Sequence, residues 1–354
     1  MTKGLLTEVA SIIIALAFTV TSFGCAPQDR LTISHAGSLK IPFEELKTEF
    51  EEYCPNVDIV LESGGSAEII SRAITQEQAG ESPPDIIASA DYALIPERLY
   101  EDGYADWYIA FARNEMVLCY RDGAPGSEDI IDGSRTWYDI LRNDPVSYGH
   151  SNPDDDPCGY RTLSVVQLAQ RYYYDEAADF DLTPDLNANG LYGALIPGSE
   201  HKRGRLGDSK EIVSKRSVDL IVALETGDLD YAFEYRSVAV QHGLNFIGLD
   251  DYINLSKTNM ELPEVEDFYK KSSVEIVTKP GPPPAYAAKH GKPIVYGITI
   301  PLHAKSRELA AEFIQLLLSE TGKNIMEMKN GQLFIEPLLC DHPENLPTAI
   351  REAL

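Results

Sequence analysis

Leu31-Thr32-Ile33-Ser34-His35 reads as a strand that stops at Ala36-Gly37-Ser38, and Phe43, Leu46 and Phe50 then recur at helical spacing. The pattern repeats at once. Val57–Glu62 is a second strand, Ser63-Gly64-Gly65-Ser66 a turn, and Ala67–Gln76 a helix with Ile69, Ile70, Ala73 and Ile74 inward. Pro83-Pro84 closes that unit, and Asp85–Ser89 is a third strand. Strand, helix, strand, helix, strand predicts a parallel α/β sheet with ligands at the carboxyl ends of its strands. Ser38 and Ser66 stand at such ends, where helix N-termini leave backbone N–H groups without partners.

The same junction recurs downstream. Val146-Ser147-Tyr148-Gly149-His150 predicts a strand leading into Asp154–Arg161, Asp-Asp-Asp-Pro-Cys-Gly-Tyr-Arg. Pro157 suits the first position of a helix, with Asp156 as its N-cap and Leu163, Val166 and Ala169 as its apolar face. After a polar excursion, Thr183–Asp208, the segment Glu211–Val213 is a short strand. Ser217 then caps Val218–Glu225, Gly227 ends that helix, and Asp230–Tyr235 is a strand. Four capped junctions facing one cleft would supply N–H and hydroxyl donors to a dianion without a single Lys or Arg.

The chain of 354 residues suits two domains. Glu115–Arg121 reads as a strand crossing into a second lobe, and Ile294–Ile300, after a proline-rich loop Lys279–Pro293, as the return. One lobe then comprises 31–113 and 298–354, the other 114–297, with the two crossing strands as hinge.

Lys+Arg number 30 against 56 Asp+Glu, a formal charge of -26. Such a surface repels nucleic acid and anionic membranes, so any anion site has to be a local array of donors. Lys3 and the apolar run Val9–Phe23 form a signal segment over 1–24, too short for a membrane span of roughly 20 residues. Ser22-Phe23-Gly24-Cys25 resembles a lipobox, with 25–30 as a lipid-anchored tether. The expected location is therefore outside the cytoplasm, on the outer face of the membrane.

Four cysteines remain: Cys54, Cys119, Cys158 and Cys340. No CxxC pair points to zinc, and their pairing stays open. There is no G-x-S-x-G elbow, no phosphate-binding G-x-x-x-x-G-K-[ST] loop and no H-E-x-x-H. His35 reads as structural, and Asp154 and Asp155 as a solvated acidic turn. A secreted carboxylate-metal hydrolase is the alternative from a different class. Asn254-Leu255-Ser256 is a glycosylation sequon.

His35-Ala36-Gly37-Ser38, Glu62-Ser63-Gly64-Gly65-Ser66, Asn114–Arg121, Asp156-Pro157-Cys158-Gly159-Tyr160-Arg161, Gly227–Tyr231 with Glu234-Tyr235-Arg236-Ser237, and Tyr296–Pro301 together resemble the archaeal-type molybdate/tungstate-binding proteins. These are the solute receptors of ABC importers. The resemblance implies a two-lobed periplasmic-binding-protein fold with two crossovers and no enzymatic activity. It implies a monomer that passes molybdate or tungstate to a permease and its ATPase, with no cofactor. It implies that Ser38 and Ser66, with Ser217 at the less well matched junction, bind the oxyanion's oxygens. Asp156 and Glu234 fall where the family supplies carboxylate ligands to the metal. A receptor for sulfate or another tetrahedral oxyanion is the nearest alternative.

Overall fold

The computed structural model describes residues 29–174, 190–196, 210–279 and 285–353. The signal segment, Cys25 and most of the Thr183–Asp208 excursion lie outside them. Among the described residues thirteen strands follow in chain order: β1 (Asp29–Ala36), β2 (Val57–Gly64), β3 (Ile86–Ser89), β4 (Tyr108–Arg113), β5 (Met116–Tyr120), β6 (Tyr148–Ser151), β7 (Glu211–Ser214), β8 (Tyr231–Tyr235), β9 (Asn245–Gly248), β10 (Ser273–Lys279), β11 (Ala285–His290), β12 (Val295–Thr299) and β13 (Leu333–Asp341).

They form two sheets and a hairpin. The first sheet is ordered β13-β4-β12-β3-β1-β2, the second β7-β6-β8-β5-β9, and β10-β11 stand alone. β1, β2 and β3 pair in parallel, as do β6, β7 and β8. Helices cover these parallel strands on both faces, which is why the strands read as near-continuous apolar runs. In the first lobe, Phe43, Leu46 and Phe50 of the Lys40–Tyr53 helix pack with Leu31, Ile33 and Phe313 on one face. Ile69, Ile70 and Ala73 of the Ser66–Gln78 helix pack with Ile87 and Leu99 on the other. The second lobe repeats the scheme, with Leu163, Val166 and Phe233 on one face and Leu220, Leu224 and Ala232 on the other. Each buried Leu, Ile, Val or Phe among these contributes about 1.5–3 kcal/mol of burial free energy.

Short backbone bonds mark where the chain passes between the lobes. Asn114 N–H donates to Ile294 O at 2.8 Å, Ile294 N–H to Leu255 O at 2.9 Å, and Met116 N–H to Asn254 O at 2.9 Å. The crossing therefore falls at Asn114–Glu115, between β4 in one sheet and β5 in the other, and not along the whole expected strand Glu115–Arg121.

The return comes before β12, whose Val295 and Tyr296 pair with Arg113 and Ala112 of β4. Residues 295–297, assigned from sequence to the second lobe, belong to the first sheet. Valine and tyrosine suit either sheet, and only pairing decides between them. Asp29 and Arg30, read as tether, pair with Val57 and Asp58 and open β1.

Two further expectations change, and the open question of cysteine pairing is answered. The loop Lys279–Pro293 contains β11, which pairs antiparallel with β10. Part of the polar excursion is a helix, Leu191–Leu195, with Leu191, Tyr192 and Leu195 buried. All four cysteines in the described residues are free.

Candidate functional site

The carboxyl ends of the parallel strands of both sheets converge on one cleft of about 880 Å³. Register explains the convergence. Ala36 sits beside Gly64, so the Ser38 and Ser66 turns are neighbours, and Ser151 sits beside Ser214, so the Asp156 and Ser217 turns are neighbours. Ser38, Ser66 and Asp156 line the cleft together with Asn114, Tyr160, Arg161, Tyr235 and Tyr296.

Local roles differ from those expected. Ser38 lies in a short 3₁₀ turn, Gly37–Leu39, ahead of its helix and is exposed. Ser66 is the first helical residue, and its Oγ accepts from Ala90 N–H at 2.9 Å instead of capping. Glu68 Oε2 takes the Gly65 N–H at 3.3 Å. A short side chain one position inside the helix points toward the neighbouring β3 turn, which offers a better-placed donor.

Asp156 is the cap that the sequence predicts. Its Oδ1 accepts from Cys158 N–H at 3.0 Å, and its Oδ2 accepts from Ser217 N–H at 2.8 Å. Gly159 allows this: a Cβ there would come 2.3 Å from Ser151 O, so only glycine lets the helix start against the loop.

Ser217 holds the N-cap position of the Val218–Thr226 helix, but its hydroxyl makes no capping bond. Neither Ser217 nor Glu234 is among the residues lining the cleft. Both stand one layer behind Asp156.

Glu234, on β8, is 0% exposed. Its Oε2 accepts from Tyr235 N–H at 3.1 Å and lies 3.8 Å from Cys158 Sγ. Its Oε1 is buried without a hydrogen bond. Burial pushes its carboxyl up to about 7, and the neighbouring Asp156 adds to the rise. The Ser217 hydroxyl and the Tyr235 N–H oppose it, the former lying near without completing a hydrogen bond.

His35 is structural. It is buried against Phe43, its Nδ1 lies 2.9 Å from Ala36 O, and burial holds its pKa below the ordinary value. Asp154 and Asp155 do stand in a turn, Asp155 exposed as expected and Asp154 half-buried, and both carboxylates have partners. Asp154 Oδ1 accepts from Val277 N–H at 2.7 Å, anchoring the β10–β11 hairpin, and Asp155 Oδ2 accepts from Asn152 Nδ2 at 3.0 Å.

Through that hairpin and its exit, Lys289, His290 and Lys292 reach the cleft. Lys292 Nζ pairs with Asp91. Sequence reading missed these residues, because the hairpin strand hid in a loop marked by prolines. Arg161, at the end of the Asp154–Arg161 stretch, lines the cleft as well. Asn254 is buried, with Nδ2 bonded to Leu249 O at 3.2 Å, so its sequon is not presented to solvent.

Among the described residues no three of His, Cys, Asp and Glu gather as a cation site. Likewise no helix among them is long and apolar enough to cross a membrane.

Two mixed α/β lobes joined by a narrow hinge, with strand ends facing one cleft, define a protein of the two-lobed periplasmic-binding type. The chain belongs to the bacterial extracellular solute-binding protein family, whose model matches residues 31–331. Members of this family are transport receptors rather than enzymes.

The chain is 36% identical to the molybdate/tungstate-binding protein WtpA of Pyrococcus abyssi, over 87% of this chain and 85% of that protein. It is 38% identical to a solute-binding protein of Methanoculleus marisnigri, over 88% and 83%. In structure it is similar to the substrate-binding domain of a putative molybdenum ABC transporter from Clostridium difficile. That match has a TM-score of 0.54 at 18% identity, covering 87% of this chain and 99% of the other, and it bears on the fold.

Proposed function

We propose that this chain is an extracytoplasmic receptor that captures molybdate or tungstate in the cleft and delivers it to an ABC importer. The observation that carries the reading is the pair of acids. Asp156 lines the cleft with both oxygens held, and behind it Glu234 is fully buried with one oxygen that completes no hydrogen bond. An orphan carboxylate oxygen in a dry site is costly unless something electron-poor meets it.

Placing a carboxylate beside a dianion costs about 4 kcal/mol per unit-charge pair at 4 Å with an effective dielectric of 20. Sulfate and phosphate bear that cost in full, because their central atoms accept no further ligand. Molybdenum(VI) and tungsten(VI) expand their coordination and take the carboxylate oxygen directly. On this reading Asp156, at the cleft wall, and Glu234, which has to be uncovered from behind it as the lobes close, serve as metal ligands and as a barrier to sulfate.

Ser38 and Ser66 donate to the oxyanion's oxygens from the first lobe. Ser217 acts through Asp156, which its N–H holds. The similarity to the molybdate/tungstate-binding protein of Pyrococcus abyssi supports this substrate class.

A cleft of about 880 Å³ is far larger than an ion the size of a few waters, each occupying about 30 Å³. Capture therefore includes closure of the lobes about Asn114 and Ile294. The receptor works as a monomer, held to the membrane through Cys25, and hands its cargo to the permease and ATPase.

The test is calorimetric titration of residues 26–354 with tungstate, molybdate, sulfate and phosphate in turn. Tight binding of the first two alone is expected. Equal binding of sulfate would remove the role of the two acids and leave a general oxyanion receptor.

A further inference from the structure

Arg161 lines the cleft half-buried, and no Asp or Glu among the described residues lies within ion-pair distance of it. Its partners are aromatic. Nη1 donates to Tyr235 Oη at 2.6 Å, and the guanidinium lies 5.4 Å from the Tyr235 ring centre and 5.8 Å from that of Tyr160. The helix supplies no acid either, since the residues three and four positions away are Pro157, Cys158, Ser164 and Val165.

The position is otherwise unfavourable for a cation. It stands in the second turn of the Pro157–Tyr174 helix, near the positive end of the helix dipole. The chain holds 56 acids against 30 basic residues, yet none among the described residues pairs with this one. Asp156, the acid that shares the cleft, has both oxygens committed to backbone N–H groups.

The other basic residues at the cleft differ. Arg98 and Lys289 are exposed and keep their water, and Lys292 is paired with Asp91. A half-buried guanidinium without a counter-ion is costly in the empty protein, and an arriving anion removes that cost.

We infer that Arg161 is the counter-charge for the anion, with Tyr235 as its hydrogen-bonding relay into the cleft. The Tyr235 oxygen accepts from Arg161, which leaves the phenol O–H free to donate to an oxyanion oxygen. Tyr235 itself lines the cleft. This assigns the cleft a fixed positive charge, in place of an array of neutral donors alone, and so a preference for dianions over monoanions of the same shape. The inference rests on the oxyanion reading above.

The experiment titrates the wild type, R161Q and R161K with tungstate and with perrhenate, a tetrahedral monoanion, and records ligand-free melting of each. Expected in R161Q is a tungstate affinity about 10- to 100-fold weaker, a smaller loss for perrhenate, and no fall in the ligand-free Tm. R161K is expected to keep part of the tungstate affinity.

Three results would overturn the inference while leaving the oxyanion reading intact. One is R161Q binding tungstate within about threefold of wild type. Another is an equal loss for both anions. The last is a loss accompanied by a lowered Tm in both variants, which marks a structural arginine. A wild type silent toward tungstate, molybdate, sulfate and phosphate overturns the oxyanion reading and this inference with it.

Discussion

The backbone N–H of Ser217 donates to Asp156 Oδ2 at 2.8 Å, joining two helix starts that are 61 residues apart. One carboxylate thus caps its own helix through Cys158 N–H and pins the next. Any movement of either helix start moves the face that Asp156 presents to the cleft. The acid is a structural rivet as well as the proposed ligand.

Asp156→Ala removes both bonds. The lost cap costs about 0.5–2 kcal/mol, and the heat of tungstate binding disappears. Asp156→Asn keeps one acceptor and is expected to retain most stability while binding weakly. Thermal melting with calorimetry on the two variants separates the roles. A fully stable, tightly binding Asp156→Ala would remove both.

Glu234 makes the ligand-free protein pH-sensitive. Its carboxyl rises from an ordinary 4.5 to about 7 on folding. Between those values the folded state holds a proton that the unfolded state has released, so stability is full below 4.5 and falls as pH rises through 7. The loss reaches about 3 kcal/mol. Denaturant unfolding at pH 5 and pH 8 checks this, with Glu234→Gln expected to flatten the difference and be the more stable protein at pH 8. Calorimetry on the same variant should show tungstate bound at least about tenfold more weakly.

Gly159→Ala places a methyl group 2.3 Å from Ser151 O and 2.7 Å from Asn152 C, both backbone atoms that cannot swing aside. The helix start has to retreat from the loop. A destabilisation of about 1–3 kcal/mol follows, and anion affinity falls because Asp156 retreats with it. Unfolding curves and titration of the one variant measure both effects.

Asn114→Ala breaks the hinge. Its Oδ1 accepts from Glu115 and Ser237 N–H at 3.0 and 3.2 Å, and its Nδ2 donates to Ser237 Oγ and Tyr296 Oη at 2.8 and 3.2 Å. These bonds tie both crossings to the turn after Glu234. Removing them leaves a buried Ser237 N–H unpaired and costs about 2–4 kcal/mol. A melting temperature within a degree of the wild type's would contradict this account.

The sequence alone determined the parallel strand–helix repeats, the glycine that ends the Val218–Thr226 helix, and the Asp156–Pro157 helix start. These are local matters of period, cap and backbone conformation, written in neighbouring residues. It also carried the resemblance that grouped Ser38, Ser66, Asp156 and Glu234. Tertiary structure alone decided which residues meet. Strand pairing moved 295–297 into the first sheet, and β11 emerged from a proline-rich loop only because β10 lay beside it. Ser66 turned from its helix to Ala90, and Glu234 and Ser217 settled one layer behind the cleft wall. Arg161 showed its meaning last. An unpaired charge is defined by what is absent around it in space, and no stretch of sequence records that.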